Sequence, residues 1–154
     1  MPTLYGADSF EGALSETVFH DVPVAGPDKR VLISSLVPWL HSTIAAVRAL
    51  RLAGVRGFGL RRIGTTRTAL IGSPASEYPA TAQWARALYS CPQEPDGIIW
   101  ISRQYDRAAA MILFGRRVSR RELRVIEPPR PLGIGDGLDD VRSAAEAAGI
   151  LVVE

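Results

Sequence analysis

The sequence predicts an α+β protein of one domain, with a central mixed or antiparallel sheet and flanking helices. Three observations carry this. Short apolar runs bounded by turn residues, such as IIWIS at 98–102, read as buried strands. Longer segments with apolar residues three and four apart, such as EYPATAQWARALYSC at 77–91, read as helices. The length of 154 residues suits a single core over 1–154, and no repeat, low-complexity tract or linker divides it.

The elements follow in order. Leu4-Tyr5 closes a first short strand. Asp8-Ser9-Phe10-Glu11 has capping-box spacing, with Asp8 as N-cap and Glu11 three residues on. Phe10, Ala13, Leu14 and Val18 then recur at helical spacing, with Glu16 on the border of that apolar face. The stretch 22–30 is a loop punctuated by Pro and Gly. Between Val31 and Val55 the pattern is mixed and favours strands, with Leu50 and Leu52 flanking Arg51. GFGLRRIG at 57–64 is a turn with a short helical segment. In the helix that follows, Pro79 fits the first turn, and Trp84, Ala87 and Leu88 form the apolar side. Pro95-Asp96-Gly97 is a turn, and the strand after it ends at Ser102. AAAMILF and ELRVIE are two further strands. GDGLDDVRSAAEAAG is a helix ending at Gly149, and ILVV closes the chain as a strand.

Composition narrows the function classes. No apolar run approaches the roughly 20 residues that span a bilayer, and no basic region followed by an apolar run opens the chain as a secretory signal. The 18 basic and 16 acidic residues leave a net charge of +2, too small an excess to predict nucleic-acid binding. Cys91 is the sole cysteine, so neither an internal disulfide nor a cysteine-based zinc site is available, and a cytoplasmic location is expected. Cys91 reads as structural. His20 and His41 have no metal-ligand spacing, and no metal is expected. GIGDG at 133–137 lacks the third glycine of a dinucleotide fingerprint, and no G-x-S-x-G marks a nucleophile. Trp39, Trp84 and Trp100 read as core residues.

Three segments in register carry a family resemblance. LYGADSFEGALSETVFHDV at 4–22 resembles the tyrosine-to-glutamate motif of RES-domain proteins. LRLAGVRGFGLRRIG at 50–64 resembles their middle region. YPATAQWARALYSCPQEPDGIIWISR at 78–103 resembles the helix, turn and strand that deliver the family's serine, and MILFGRR the strand after it. The resemblance runs from about Leu4 to Arg117. It implies a fold similar to ADP-ribosyltransferase toxins and NAD as a substrate rather than a resident cofactor. The implied reaction is phosphorolysis, in which inorganic phosphate displaces nicotinamide and leaves ADP-ribose 1″-phosphate. It also implies a bacterial toxin–antitoxin pair whose antitoxin is a small protein with an Xre-like helix-turn-helix domain.

Carried over residue by residue, Glu16 becomes the catalytic carboxylate, and Tyr5 and Ser102 become NAD-binding residues. The residue types suit the chemistry. Breaking the nicotinamide–ribose bond builds positive charge on the sugar, and a partly shielded carboxylate stabilises it. A tyrosine ring offers a stacking surface and a hydroxyl. Read without the resemblance, Glu16 is a solvated helix glutamate, Tyr5 a strand tyrosine and Ser102 a strand-terminating serine. Arg103 is left out of the site, because neighbours on a strand face opposite ways.

The family's arginine is expected about ten residues before the tyrosine. Four residues precede Tyr5, and none is Arg. The chain therefore reads as beginning inside the domain. Three explanations are ranked in order: a start site placed too late, a truncated inactive remnant that only binds an antitoxin, and substitution by Arg61, Arg62 or Arg67. An ADP-ribosyltransferase acting on a macromolecule is a further alternative.

Overall fold

A computed structural model describes residues 2–73 and 75–154. Six α-helices and eight strands form among them, giving a mixed α/β protein with a mixed central sheet, as the sequence predicts. No described helix is long and apolar enough to cross a membrane. The chain divides into two compact units, residues 2–13 with 46–123, and residues 14–45 with 124–154.

The first unit is built on a four-stranded sheet. Its strands are β1 (Thr3–Ala7), β4 (Leu52–Gly54), β5 (Gly97–Ile101) and β6 (Ala109–Phe114), in the order β1-β6-β5-β4. β1 and β5 both run antiparallel to β6, and β4 runs parallel to β5. Tyr5 opposes Ile112, which opposes Ile98, so the three side chains share one face. Three helices belong to this unit: α3 (Phe58–Arg62), α4 (Arg67–Leu70) and α5 (Tyr78–Tyr89). Ile63, Leu70, Ile71, Leu88 and Tyr89, from these helices and their ends, pack against Val55, Leu60, Ile98 and Phe114. The pairing of β5 with β6 needs Gly97, where a Cβ would run into the Ile112 carbonyl. Gly12 likewise lets the helix after β1 lie close to Ala108.

Several local expectations change. Tyr5 lies in the middle of β1, not at its end. The helix α1 (Phe10–Ser15) is capped by Ser9, whose Oγ accepts the Gly12 N–H at 3.0 Å. Asp8 instead extends the sheet: its carboxylate accepts the Ala109 N–H at 2.9 Å, and its own N–H donates to the Ala109 carbonyl. Ala87 is exposed, and Ala85 takes its place on the packed side of α5. Trp100 packs on the core, but Trp39 is 40% exposed.

An ion-pair network crosses this unit. Arg48 donates two hydrogen bonds to Asp96, each 2.9 Å, and one to Glu122 at 2.6 Å. Asp96 also accepts the Arg51 backbone N–H at 2.8 Å. Arg48 chiefly lowers the Asp96 pKa from its ordinary 3.8 to about 2, against the opposing effect of burial. Arg48 and then Ser119 lower the Glu122 pKa from 4.5 to about 2. The same contacts raise Arg48. Carboxyl pKa values depressed in the folded state add stability above their unfolded values and lose it as pH falls through the folded ones. The contribution of this network to stability is therefore expected to be constant above about pH 5 and to fall between about pH 4.5 and pH 2. Urea titrations at stepped pH measure this, and Asp96→Asn should flatten part of the fall.

The second unit holds two strand pairs. β2 (Arg30–Leu32) lies parallel to β8 (Leu151–Val153), and β3 (Leu40–Ala46) pairs with β7 (Leu123–Pro131). Thr43 donates to Glu127 at 2.7 Å, and the Trp39 carbonyl accepts the Leu132 N–H. The short α2 (Ile33–Leu36) lies in the mixed region whose pattern favours strands. α6 (Gly135–Ala147) packs beside β8 and buries Val141 and Ala145. The glycines of GIGDG serve packing: a Cβ on Gly137 would strike the Pro131 carbonyl, and Gly135 has a φ of 55°.

Candidate functional site

Glu16 belongs to the second unit and sits one residue beyond α1. Its expected place within a longer helix is corrected. β-Branched Thr17 and Val18 suit continued helix poorly, and the chain closes a wider turn in which the Phe19 N–H reaches the Leu14 carbonyl at 2.8 Å. Leu14 and Phe19 are buried on either side of this turn. Glu16 itself is half-buried, and its carboxylate has no hydrogen bond or ion pair among the described residues. An open groove of about 320 Å³ in the same unit begins at Val18 and carries Asp21, Asp28 and Arg30, but Glu16 does not line it.

Tyr5 belongs to the first unit. It projects from an edge strand and is 68% exposed, so its ring is open to a stacking partner. Its cross-strand neighbours place it on the sheet face that carries Ile98 and Ile112.

Ser102 follows β5 in the same unit and is fully buried. Its N–H donates to the Ala108 carbonyl at 3.0 Å, and its Oγ accepts the Tyr105 N–H at 3.2 Å. Both bonds close the loop 102–108 between β5 and β6. The Ser102 carbonyl accepts a 2.8 Å hydrogen bond from Arg67. What Ser102 offers a neighbour in this arrangement is thus its carbonyl, while its hydroxyl organises the loop. Tyr5 aligns with Ile98, four residues before Ser102, so the two lie on one face about 13 Å apart along the strands.

Among Arg61, Arg62 and Arg67, only the fold distinguishes Arg67. It opens α4 behind Thr66, whose hydroxyl accepts the Ala69 N–H. Arg61 and Arg62 are exposed on α3 with no such anchor among the described residues. No signal in the sequence links position 67 to position 102.

The histidines have other settings. His20 lies 2.8 Å from Asp21. His41 is pushed below its usual pKa by burial, then by Arg130. Cys91 is half-buried. Among the described residues, no three His, Cys, Asp or Glu side chains are grouped to hold a metal ion.

Comparison with known proteins gives one positive result. The model of the RES domain matches residues 1–133. No curated protein and no solved structure matches the chain. The matched span takes in Tyr5, Glu16, Ser102 and the whole four-stranded sheet, which is most of the 154 residues, and so the chain belongs to the RES-domain family.

Proposed function

We propose that this protein is a toxin-type enzyme that cleaves NAD by phosphorolysis and is neutralised by an Xre-like helix-turn-helix antitoxin. Membership in the RES-domain family is consistent with NAD-related enzymatic activity. The observation that carries the reading is Glu16: a half-buried carboxylate with no hydrogen bond or ion pair among the described residues, at the position the resemblance assigns to the family's glutamate.

In the reaction, the C1″–N bond breaks and nicotinamide leaves with the bonding pair, which neutralises its pyridinium nitrogen. Positive charge builds on the ribose as the bond lengthens, and Glu16 stabilises it. An oxygen of HPO4²⁻ then bonds to C1″, giving ADP-ribose 1″-phosphate and releasing one proton. Tyr5 contributes an exposed ring for stacking. Ser102 contributes by fixing the loop 102–108 and the guanidinium of Arg67.

Product analysis tests this reading. Purified protein with NAD and inorganic phosphate is expected to yield nicotinamide and ADP-ribose 1″-phosphate in equal amounts. Nicotinamide with free ADP-ribose in place of the 1″-phosphate would mean hydrolysis, and label transferred from NAD to a macromolecule would mean ADP-ribosyl transfer. Untouched NAD, with and without phosphate, would leave a module that only binds its partner.

A further inference from the structure

We infer that Arg67 is an oxyanion-binding residue, held by the Ser102 carbonyl and available to a phosphate group of the substrate. The identity of that substrate rests on the NAD reading above; the oxyanion site itself does not.

The anchor is rigid. Ser102 is fully buried, and its N–H and Oγ are both bonded within the loop 102–108. The Arg67 Nη2 reaches its carbonyl at 2.8 Å. A neutral carbonyl fixes a guanidinium without cancelling its charge, whereas a carboxylate would cancel most of it. Arg51 also reaches a carbonyl, that of Glu94, at a longer 3.4 Å, and several other arginines are engaged differently. Arg48 is held by Asp96 and Glu122, Arg130 by Asp140, and Arg142 by Asp139. Arg117 donates to the Pro95 and Tyr89 carbonyls and lies over the Tyr89 ring. Arg67 is exposed, and has no carboxylate partner among the described residues. A guanidinium carries five N–H donors in a planar fork that matches phosphate oxygens in pairs. With one donor spent on Ser102, an exposed cation remains that is already oriented, so less side-chain freedom is lost on binding.

Its position agrees with the proposed substrate. Leu70 and Ile71, on and just after α4, pack into the same cluster as Ile98 and Ile112. Tyr5 opposes Ile112 on that face. A flat ring for a base and a cation for a phosphate therefore serve one side of the sheet, which suits a dinucleotide. The phosphate bound could be the diphosphate bridge of NAD or the attacking inorganic phosphate, since both present the same oxygens.

Calorimetric titration of wild type, Arg67→Gln and Arg67→Lys separates these cases, using ADP-ribose, inorganic phosphate and inorganic pyrophosphate as probes. Arg67→Gln is expected to weaken a phosphate-bearing probe about 10–100-fold, the scale of a lost charge-assisted pair, at unchanged circular dichroism. Arg67→Lys keeps the charge and a donor for Ser102 but not the fork, and is expected to weaken the same probe at least threefold. It provides the test should the glutamine variant not fold. Loss for ADP-ribose assigns Arg67 to the diphosphate, and loss for inorganic phosphate alone assigns it to the co-substrate. Wild type that binds pyrophosphate but not ADP-ribose would remove the NAD reading and leave the oxyanion site standing. Folded variants that match wild type for every probe, or wild type that binds none of them, would overturn the inference.

Discussion

Glu16→Gln is expected to lower nicotinamide release from NAD by about 10²–10³-fold, the usual effect of removing one well-placed charge-stabilising group. The substitution keeps the shape of the side chain and removes its charge. Glu16 sits in a turn and forms no hydrogen bond or ion pair among the described residues. The fold therefore has little to lose, and stability should stay within about 0.5 kcal/mol of wild type. Because the charge matters most as the ribose becomes cationic, the loss should fall on kcat, with KM changed little. Steady-state kinetics with thermal unfolding of the same samples check both points. A parallel fall in kcat and Tm would instead assign Glu16 a structural role.

Phe114→Ala is expected to have the largest effect on stability, about 3–5 kcal/mol, from lost burial and the cavity left behind. Phe114 is fully buried among Val55, Leu60 and Ile98. Its ring meets Tyr89 edge-on at 5.1 Å, and the Arg117 guanidinium lies 6.0 Å from its centroid. Its strand joins β1 to β5, so the side chain lies under the sheet that carries Tyr5 and leads to Ser102. For a chain of this size the loss corresponds to roughly 6–20 °C in Tm. A shift under about 2 °C in thermal unfolding would mean that the cluster around Phe114 is not the core of this unit.

Much of the first unit was legible in the sequence because its signals are local. IIWIS and AAAMILF are apolar runs closed by turn residues, and they became β5 and β6. The helix at 78–89 showed both its proline and its periodic face, although Ala85, not Ala87, points inward. The errors arose where local patterns compete. Asp8 and Ser9 both qualify as caps, and the choice of Ser9 follows from the bonds Asp8 makes to Ala109, 101 residues away. Val18 continued the helical spacing of Leu14, but Phe19 rather than Val18 is buried after the turn.

The candidate site was legible in its parts, by resemblance. Tyr5, Glu16 and Ser102 were located by motif, and their settings were not. Nothing near Ser102 in sequence tells that its side chain is buried or that its carbonyl holds Arg67, 35 residues earlier. The network of Arg48, Asp96 and Glu122 is equally silent, because its members lie 48 and 74 residues apart from Arg48. Asp96 read only as part of a turn, and its carboxylate instead ties the start of β5 to the segment 48–51, through the Arg48 side chain and the Arg51 N–H.

Nicotinamide release tests the central claim most directly. Wild type and Glu16→Gln are incubated side by side with NAD and inorganic phosphate, and nicotinamide is quantified over time. The expected result is steady release by wild type and release reduced about 10²–10³-fold by the variant, with both proteins equally folded. Intact NAD in the wild-type sample, or equal release by the two proteins, would contradict it.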